Sequence, residues 1–446
     1  MSVHAWFLRS ILLPAGDLYF KQGMMKRLEF LEQAQWWDAG RTALWRDQAL
    51  RKLVQVCYDE TPFYKQRMDE AGVKPRDIRT VADLRLIPVT TKEMMRDGYP
   101  DAVVRETGLP SYETSTSGST GKLFTIREDS ETGGSYRSSF MLSLEWAGWN
   151  IGEAHMMAGV NYQKRSLDRR VKDSLLRCHY LRSDDLTDDR LDAHLDALAE
   201  RGIQHLWGYP GLISYVARGA ERRGLHLPMK SIVTWGENLH PSHRELLEGV
   251  FGTRVTDTYG CGEGFQIAAQ CGHENNYHTH DLDVVVEYLD DDGNPVPAGS
   301  PGHVTITRFH PGPMPFLRYQ PGDLATASTR TACPCGRAWG LLKSIQGRAT
   351  DTVITPSGNR IVGHIFNLAI KAPEIDSYQV VQDEKSSITV RVLLRDGCAY
   401  SPALEGKLID NLRRNGADLE IRIVPVDEMP VPASGKHRFV LSRVRE

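Results

Sequence analysis

The sequence predicts an α/β protein, with a large N-terminal region built on parallel strands, a β-rich stretch after it, and a small α+β domain at the C-terminal end. Three observations lead there. Between residues 191 and 260, amphipathic helix patterns alternate with short β-prone runs that end in glycine, the signature of a parallel sheet whose ligands collect beyond the strands' C-terminal ends. After about residue 283 the helical periodicity gives way to runs such as 303-HVTITRFH-310 and 352-TVITPSGNRIV-362, the latter with a turn at Ser357-Gly358. Last, 387-SITVRVLL-394 and 419-LEIRIVPV-426 flank a helical 402-PALEGKLIDNLRRNG-416, enough for a separate domain.

In chain order, residues 24 to 75 read as helical, since Leu28, Leu31, Leu44, Leu50, Leu53 and Val56 recur at i, i+3 or i+4 spacings. This opening, to about residue 85, is expected to be a lid or packing segment. Before it, 3-VHAWFLRSILLPAG-16 is too short and too interrupted by Arg9 to span a bilayer, and no small-residue cleavage site follows. Packing against the protein's own body is the favoured reading of Trp6, Phe7, Ile11 and Leu12, with amphipathic membrane contact as the alternative. Further on, Leu191, Leu195, Leu198 and Ile203 mark a helix, 205-HLWGYPGLI-213 leads into another, and 231-SIVTWG-236 and 254-RVTDTYG-260 read as strands. The sequence shows no repeat and no low-complexity tract.

Composition narrows the function class. At 446 residues, with 41% hydrophobic and 25% charged residues, the chain is long enough for two or three globular domains. Lys plus Arg total 54 against 57 Asp plus Glu, a net charge of -3, so no global positive field draws it to nucleic acid. Seven scattered cysteines without a signal peptide read as reduced thiols or metal ligands, and the expected location is the cytoplasm. Small-molecule chemistry is the expectation, with no transmembrane segment and either a monomer or a homodimer.

The stretch 114-TSTSGSTGKLFTI-126 offers hydroxyls, glycine amides and one lysine, donors suited to phosphate oxygens. It is not a Walker A loop, because only two residues separate Gly118 from Gly121 and Leu123 follows Lys122, and it lacks the G-x-S-x-G spacing of a hydrolase elbow. Alone it reads equally well as a solvated turn between strands. It is, however, followed in order by 235-WGEN-238, 259-YGCGE-263, 318-RYQPGDLA-325, 347-GRATD-351 and 433-ASGKHR-438. Singly, Asp323 after its proline-glycine turn reads as a turn residue and Lys436 as plain surface.

Together, these segments resemble the adenylate-forming superfamily over nearly the whole chain, and most nearly its phenylacetate-CoA ligase branch with the relatives encoded beside capsule polysaccharide genes. The helical opening of that branch is similar to 34-AQWWD-38, 58-YDETPFYKQRM-68 and 86-LIPVTTKEMMRD-97. The resemblance implies an adenylate-forming domain over 1–348 and a small mobile C-terminal domain over 349–446, hinged near 349–351. It implies ATP as cosubstrate, its phosphates held by Ser117, Gly118, Ser119, Thr120, Gly121 and Lys122, and magnesium on Glu263, as a hard cation prefers a carboxylate near phosphate. Gly236, Glu237, Asn238, Tyr259 and Gly260 would flank adenine. Asp323 would take the ribose hydroxyls, Arg348 would reach ribose or phosphate, and Lys436 would bridge the attacking carboxylate and the α-phosphate. Trp207, Gly208, Tyr209 and Trp235 would line the pocket for the acid, or equally be core. Two departures stand out: many relatives continue their loop as G-x-P-K where this chain has Leu123 and Phe124, and Thr350 falls where the hinge is often acidic or lysine.

A second constellation joins 270-QCGHENNYHTH-280 to 332-ACPCGR-337. Cys271, His278, Cys333 and Cys335 offer the thiolate and imidazole donors of a closed structural zinc site, with His273 and His280 as rivals to His278 and reduced loop cysteines as the alternative. Some relatives in the same branch carry such a zinc. The function implied is activation of a carboxylic acid, aryl acids included, to an acyl-AMP, followed by transfer to coenzyme A. Transfer to an amine is the alternative, and a non-catalytic nucleotide-binding homologue a second one.

Overall fold

The computed structural model describes residues 2–117, 123–159, 166–182, 188–239, 241–348, 352–356, 360–362, 366, 369–370, 372–395, 397–414, 417–429 and 439–444. The chain forms two compact units. One comprises Met1–Pro321 and Ala325–Ser344, the other Gly322–Leu324 and Ile345–Glu446. The change of unit falls inside a strand, a few residues before the 348/349 division read from the sequence, and the short Gly322–Leu324 stretch, which the sequence assigned to the first domain, belongs to the second unit.

The first unit opens with helices α1 (Val3–Phe7) and α2 (Leu13–Phe20), joined by a π-helical turn. Ala5 and Leu8 are buried, but Trp6, Phe7 and Ile11 remain exposed, so only one side of this segment packs on the body. Helices α3 (Met24–Ala34), α4 (Ala39–Glu60) and α5 (Pro62–Glu70) realise the periodicity of the opening. Asp38 caps α4 by accepting from the Arg41 amide at 2.7 Å, and α5 begins on Pro62, where a missing N–H costs nothing. Leu28, Leu31, Leu50 and Leu53 are buried as their spacing predicts, whereas Leu44 is exposed.

Strand β1 (Thr90–Thr91) runs directly into α6 (Lys92–Asp97), and β2 (Ser111–Ser117) and β3 (Leu123–Asp129) form a hairpin that leads to α7 (Ser130–Trp146). Then β4 (His155–Gly159), α8 (Leu167–Leu175), β5 (Cys178–Arg182), α9 (Asp188–Glu200), β6 (His205–Gly208), α10 (Pro210–Arg222), β7 (Ser231–Thr234), α11 (Pro241–Phe251) and β8 (Val255–Cys261) alternate as expected. Their strands pair in parallel in the order β8-β7-β6-β4-β5. Every residue of β6 and β7 is buried because both faces are covered: Leu206 and Ile232 point into one core with Leu195, Val216 and Leu247, while Trp207 and Val233 point into another with Leu28, Leu31 and Leu142.

Beyond β8 the sheet turns antiparallel through β9 (Phe265–Gln270) and β10 (Tyr277–Thr279). The β-rich region adds β11 (Val284–Leu289), β12 (Pro301–Arg308) and β13 (Tyr319–Gln320), together with the first-unit parts of β14 (Asp323–Ala327) and β15 (Leu341–Arg348). Within it β1 pairs in parallel with β13, Thr90 opposite Tyr319.

The second unit contains a hairpin of β16 (Thr352–Ile354) and β17 (Arg360–Val362) and a four-stranded sheet of β18 (Ile375–Glu384), β19 (Ser387–Leu394), β20 (Glu420–Val426) and β21 (Val440–Ser442), in the order β20-β19-β18-β21. Helix α12 (Pro402–Arg414) lays Leu404, Leu408 and Leu412, an i, i+4, i+8 stripe, on Val380, Val390 and Ile423. The turn expected at Ser357-Gly358 lies outside the described residues.

Candidate functional site

The tight β8–β9 turn fixes the central carboxylate. Cys261 pairs with Phe265, so Glu263 sits at the apex, and Gly264 takes φ +80°, a conformation other residues rarely adopt. There is no room for a side chain there either, since a Cβ on Gly264 would come within 2.2 Å of Glu128 Oε1. Glu263 is almost wholly buried, and its Oε1 accepts from both Lys92 Nζ and Tyr319 Oη, each at 2.8 Å. The β1–β13 pair explains how they meet: Thr90 lies opposite Tyr319, and Lys92 follows two residues later at the start of α6. Burial pushes the Glu263 carboxyl up, but the Lys92 charge and the hydrogen bonds from Lys92, Tyr319 and Cys261 outweigh it and hold the group below its ordinary value. The result is a buried, ionised carboxylate.

Lys92 is the residue that sequence reasoning missed. It lies within 86-LIPVTTKEMMRD-97, but the strand pair that brings it to Glu263 is only two residues long on each side, too short to leave a periodic signal. Its ammonium also lies 5.5 Å from the centroid of the Phe124 ring, and Phe124 is buried and stacks on Tyr319. Phe124, one of the departures from the G-x-P-K pattern, thus packs beside both Lys92 and Tyr319.

Arg308, fully buried on β12, holds the turn from behind. Its guanidinium donates to the carbonyls of His310 (2.9 Å), Met314 (2.8 Å), Pro311 (3.3 Å) and Glu263 (3.5 Å), and lies about equally far from the Phe265 and Phe316 rings. Glu128, at the end of the β2–β3 hairpin, faces it and accepts from Tyr112 Oη at 3.1 Å. The last pair of that hairpin is Ser117 with Leu123. The rest of the expected phosphate loop, Gly118, Ser119, Thr120, Gly121 and Lys122, lies outside the described residues, as do Lys436 and the hinge at 349–351.

The segment expected to flank adenine follows β7. Gly236 has φ +76° and lies so close to Tyr209 that a Cβ would approach its ring to 2.6 Å, and Glu237 Oε2 accepts from the Gly211 amide at the start of α10. Gly208 is packed against the Ala158 carbonyl with no space for a Cβ, and Tyr259 is buried on β8. Trp235 meets Phe140 edge-on at 5.3 Å. Trp207, by contrast, is buried between His155 and Trp149, where its ring stacks on the imidazole at 3.8 Å. Its surroundings are those of the core alternative. Asp323 opens β14 and Arg348 ends β15, both in the second unit.

The four expected metal ligands converge. The ligand atoms of Cys271, His278, Cys333 and Cys335 all lie within 4.8 Å of one another, with Cys271 and Cys333 sulfurs 3.6 Å apart and Cys335 Sγ 3.2 Å from His278 Nε2. Tetrahedral zinc with Zn–S bonds of about 2.3 Å spaces its sulfurs by about 3.8 Å, so the donor set and its dimensions fit. Strand pairing brings them together: His278 on β10 lies between Ala269 of β9 and Leu341 of β15, which bracket Cys271 and the Cys333–Cys335 loop. The rivals are placed elsewhere. His280 stacks on Trp146 and meets Ser143 Oγ at 3.0 Å, and exposed His273 is outside the cluster.

Comparison with known proteins agrees with this architecture. Residues 353–443 match the CapK C-terminal domain family. The chain is 27% identical to a phenylacetate-coenzyme A ligase of Thermus thermophilus over 89% of its own length and 95% of that protein, and 24% identical to one of Escherichia coli, covering 78% and 82%. Among solved structures, 2-hydroxyisobutyryl-CoA ligase in its postadenylation state with an acyl-adenylate superposes with a TM-score of 0.75 over 92% of this chain and 91% of that one, at 18% identity. ATP-bound MatB of Rhodopseudomonas palustris superposes at 0.53, covering 73% and 66%, at 17% identity.

Proposed function

We infer that this chain, a member of the adenylate-forming ligases on their phenylacetate-CoA ligase-like branch, couples ATP to a carboxylic acid, forming an acyl-AMP with release of pyrophosphate and then a coenzyme A thioester. The observation that carries this reading is the near end-to-end match to phenylacetate-coenzyme A ligases combined with a buried, ionised Glu263 at the turn after β8. In the first step the acid's carboxylate oxygen attacks the α-phosphorus and the bond to pyrophosphate breaks. A magnesium ion would offset phosphate charge there, and Glu263 is the residue that would hold it. Lys92 and Tyr319 orient that carboxylate. Gly236, Glu237, Asn238, Tyr259 and Gly260 would flank adenine, Asp323 would bind ribose, Arg348 would reach ribose or phosphate, and the loop from Ser117 to Lys122 would hold the phosphates. Among the described residues no helix is long and apolar enough to cross a membrane. Incubation with ATP and a panel of aryl, aliphatic and amino acids, with and without coenzyme A, and mass analysis of products tests the reading. Thioesters dependent on coenzyme A support it, while amides formed with added amines instead would move the second step to an amine acceptor.

The Lys92–Glu263 contact predicts a pH effect. With Lys92→Met, burial is less opposed, so the Glu263 pKa rises and the acid limb of the pyrophosphate-release profile moves to higher pH. The stability that ionised Glu263 contributes, present above its unfolded value and lost as pH falls through the depressed folded one, shrinks as well. An unshifted acid limb would contradict the assignment.

We further propose that the Cys271, His278, Cys333 and Cys335 cluster binds a structural zinc. Protein purified without chelator should contain about one zinc per chain. Cys333→Ser should lose it and melt earlier, with the surviving folded enzyme near normal in turnover. Metal-free wild-type protein of undiminished stability would leave the cysteines as reduced thiols.

A further inference from the structure

Helix α8 turns its apolar side outward. Leu167, Val171 and Leu175, an i, i+4, i+8 stripe, are 75%, 53% and 42% exposed, whereas the equivalent stripe of α12 is buried. At about 100° per residue, Arg170 and Lys172 fall about 100° to either side of the α8 stripe, and both are exposed. Cations therefore border it on both flanks. The helix holds to the body by another side: Leu176, its C-cap, packs against the core cluster that contains Leu8, Trp149 and Ile151.

A second exposed apolar segment adjoins it. Helix α1 lies against the start of β4, so close that a Cβ on Gly152 would come within 2.7 Å of Ala5 Cα. At the first residue of β4 the His155 amide donates to the Arg177 carbonyl, just past α8, at 3.1 Å. The opening helices and the C-terminal end of α8 therefore meet the same end of one strand. Of that opening, Trp6, Phe7 and Ile11 are exposed, as are Leu18, Tyr19 and Phe20 at the end of α2. Its nearby acids are already engaged: Asp17 accepts from the Met24 and Met25 amides at 2.8 and 3.0 Å, and Glu32 and Glu145 both face Arg9.

Charge selects the occupant. Residues 164–177 hold six Lys or Arg against two Asp, a net +4 within a chain of net charge -3. A second copy docked about a two-fold axis would set this basic face against itself, which like charges oppose. An apolar stripe between cations, beside exposed Trp and Tyr, is the pattern of a segment lying in the surface of an anionic bilayer: apolar side chains enter, basic ones stay with the headgroups, and aromatic rings settle at headgroup depth.

We propose that α8 and the adjoining opening segment form a docking face for a bilayer surface bearing anionic headgroups. None of its residues is among those assigned to nucleotide, acid or metal.

Flotation of the full chain with vesicles of equal parts phosphatidylglycerol and phosphatidylcholine, and with phosphatidylcholine alone, tests this. The protein should float with the anionic vesicles and far less with the neutral ones, and the difference should shrink at high salt. Arg170→Glu combined with Lys172→Glu should weaken partitioning about tenfold or more. Val171→Ser combined with Leu175→Ser, which keeps the charge and removes apolar contact, should weaken it as well. Pyrophosphate release without vesicles and the KM for coenzyme A should stay at their wild-type values in both variants, whose changes are on exposed side chains. No flotation with anionic vesicles, equal flotation with neutral ones, or flotation unaffected by either double variant would overturn the proposal. So would a KM for coenzyme A that rises with the charge reversal, which would make α8 a phosphate-binding surface of the ligase. A dimer, detected by sedimentation, that dissociates on Val171→Ser with Leu175→Ser would overturn it too, by giving the face to a second copy.

Discussion

Lys436→Ala is expected to suppress acyl-AMP formation by roughly two or more orders of magnitude, the cost of losing a donor to charge that develops in the transition state. Thioester formation from a pre-made acyl-adenylate should continue at near the normal rate. The asymmetry follows from the proposed role: an ammonium bridging the attacking carboxylate and the α-phosphate acts only while that bond forms, and differential stabilisation of that step raises its rate without aiding the next. Single-turnover measurements of each half-reaction separate the two. Equal loss in both, in a folded variant, would contradict a division of labour between the steps, and no loss in either would return Lys436 to ordinary surface.

Glu263→Gln should be nearly as damaging to magnesium-dependent pyrophosphate release, by roughly a hundredfold or more if the carboxylate holds the ion that offsets phosphate charge. The amide preserves the shape of the turn and an acceptor for Tyr319 Oη, so the fold should survive. It does strand the Lys92 ammonium, which has only 15% of its side chain exposed, without its counter-ion, and thermal unfolding should therefore begin earlier. Release at the wild-type rate with unchanged magnesium dependence would remove Glu263 from the metal site.

The α/β core was legible because its signals are local. Leu191, Leu195 and Leu198 lie on one face of α9, Leu404, Leu408 and Leu412 on one face of α12, and strands ending in glycine stand between helices. The Cys and His residues that converge were legible from donor chemistry and the family resemblance, although choosing His278 over His280 needed the register of β10 against β15. What sequence could not supply was pairing between distant segments. Lys92 reaches Glu263 only because two-residue strands near 90 and 319 lie side by side, and Arg308 reaches the same turn from another strand. Leu44 fits the α4 pattern yet is exposed, since periodicity names a face without saying how far the neighbouring body extends. Trp207 shows the same limit: its neighbours in sequence allow a pocket or core equally, and only its neighbours in space, His155 and Trp149, show what it packs against.

Acid-dependent exchange of labelled pyrophosphate into ATP, measured without coenzyme A, tests the central claim most directly, because only a reversible acyl-AMP step returns pyrophosphate to ATP. The account predicts exchange that requires magnesium and a cognate carboxylic acid and that collapses in Glu263→Gln. Tight ATP binding with no exchange for any acid across an aryl, aliphatic and amino-acid panel, or release of orthophosphate in place of pyrophosphate, would contradict it.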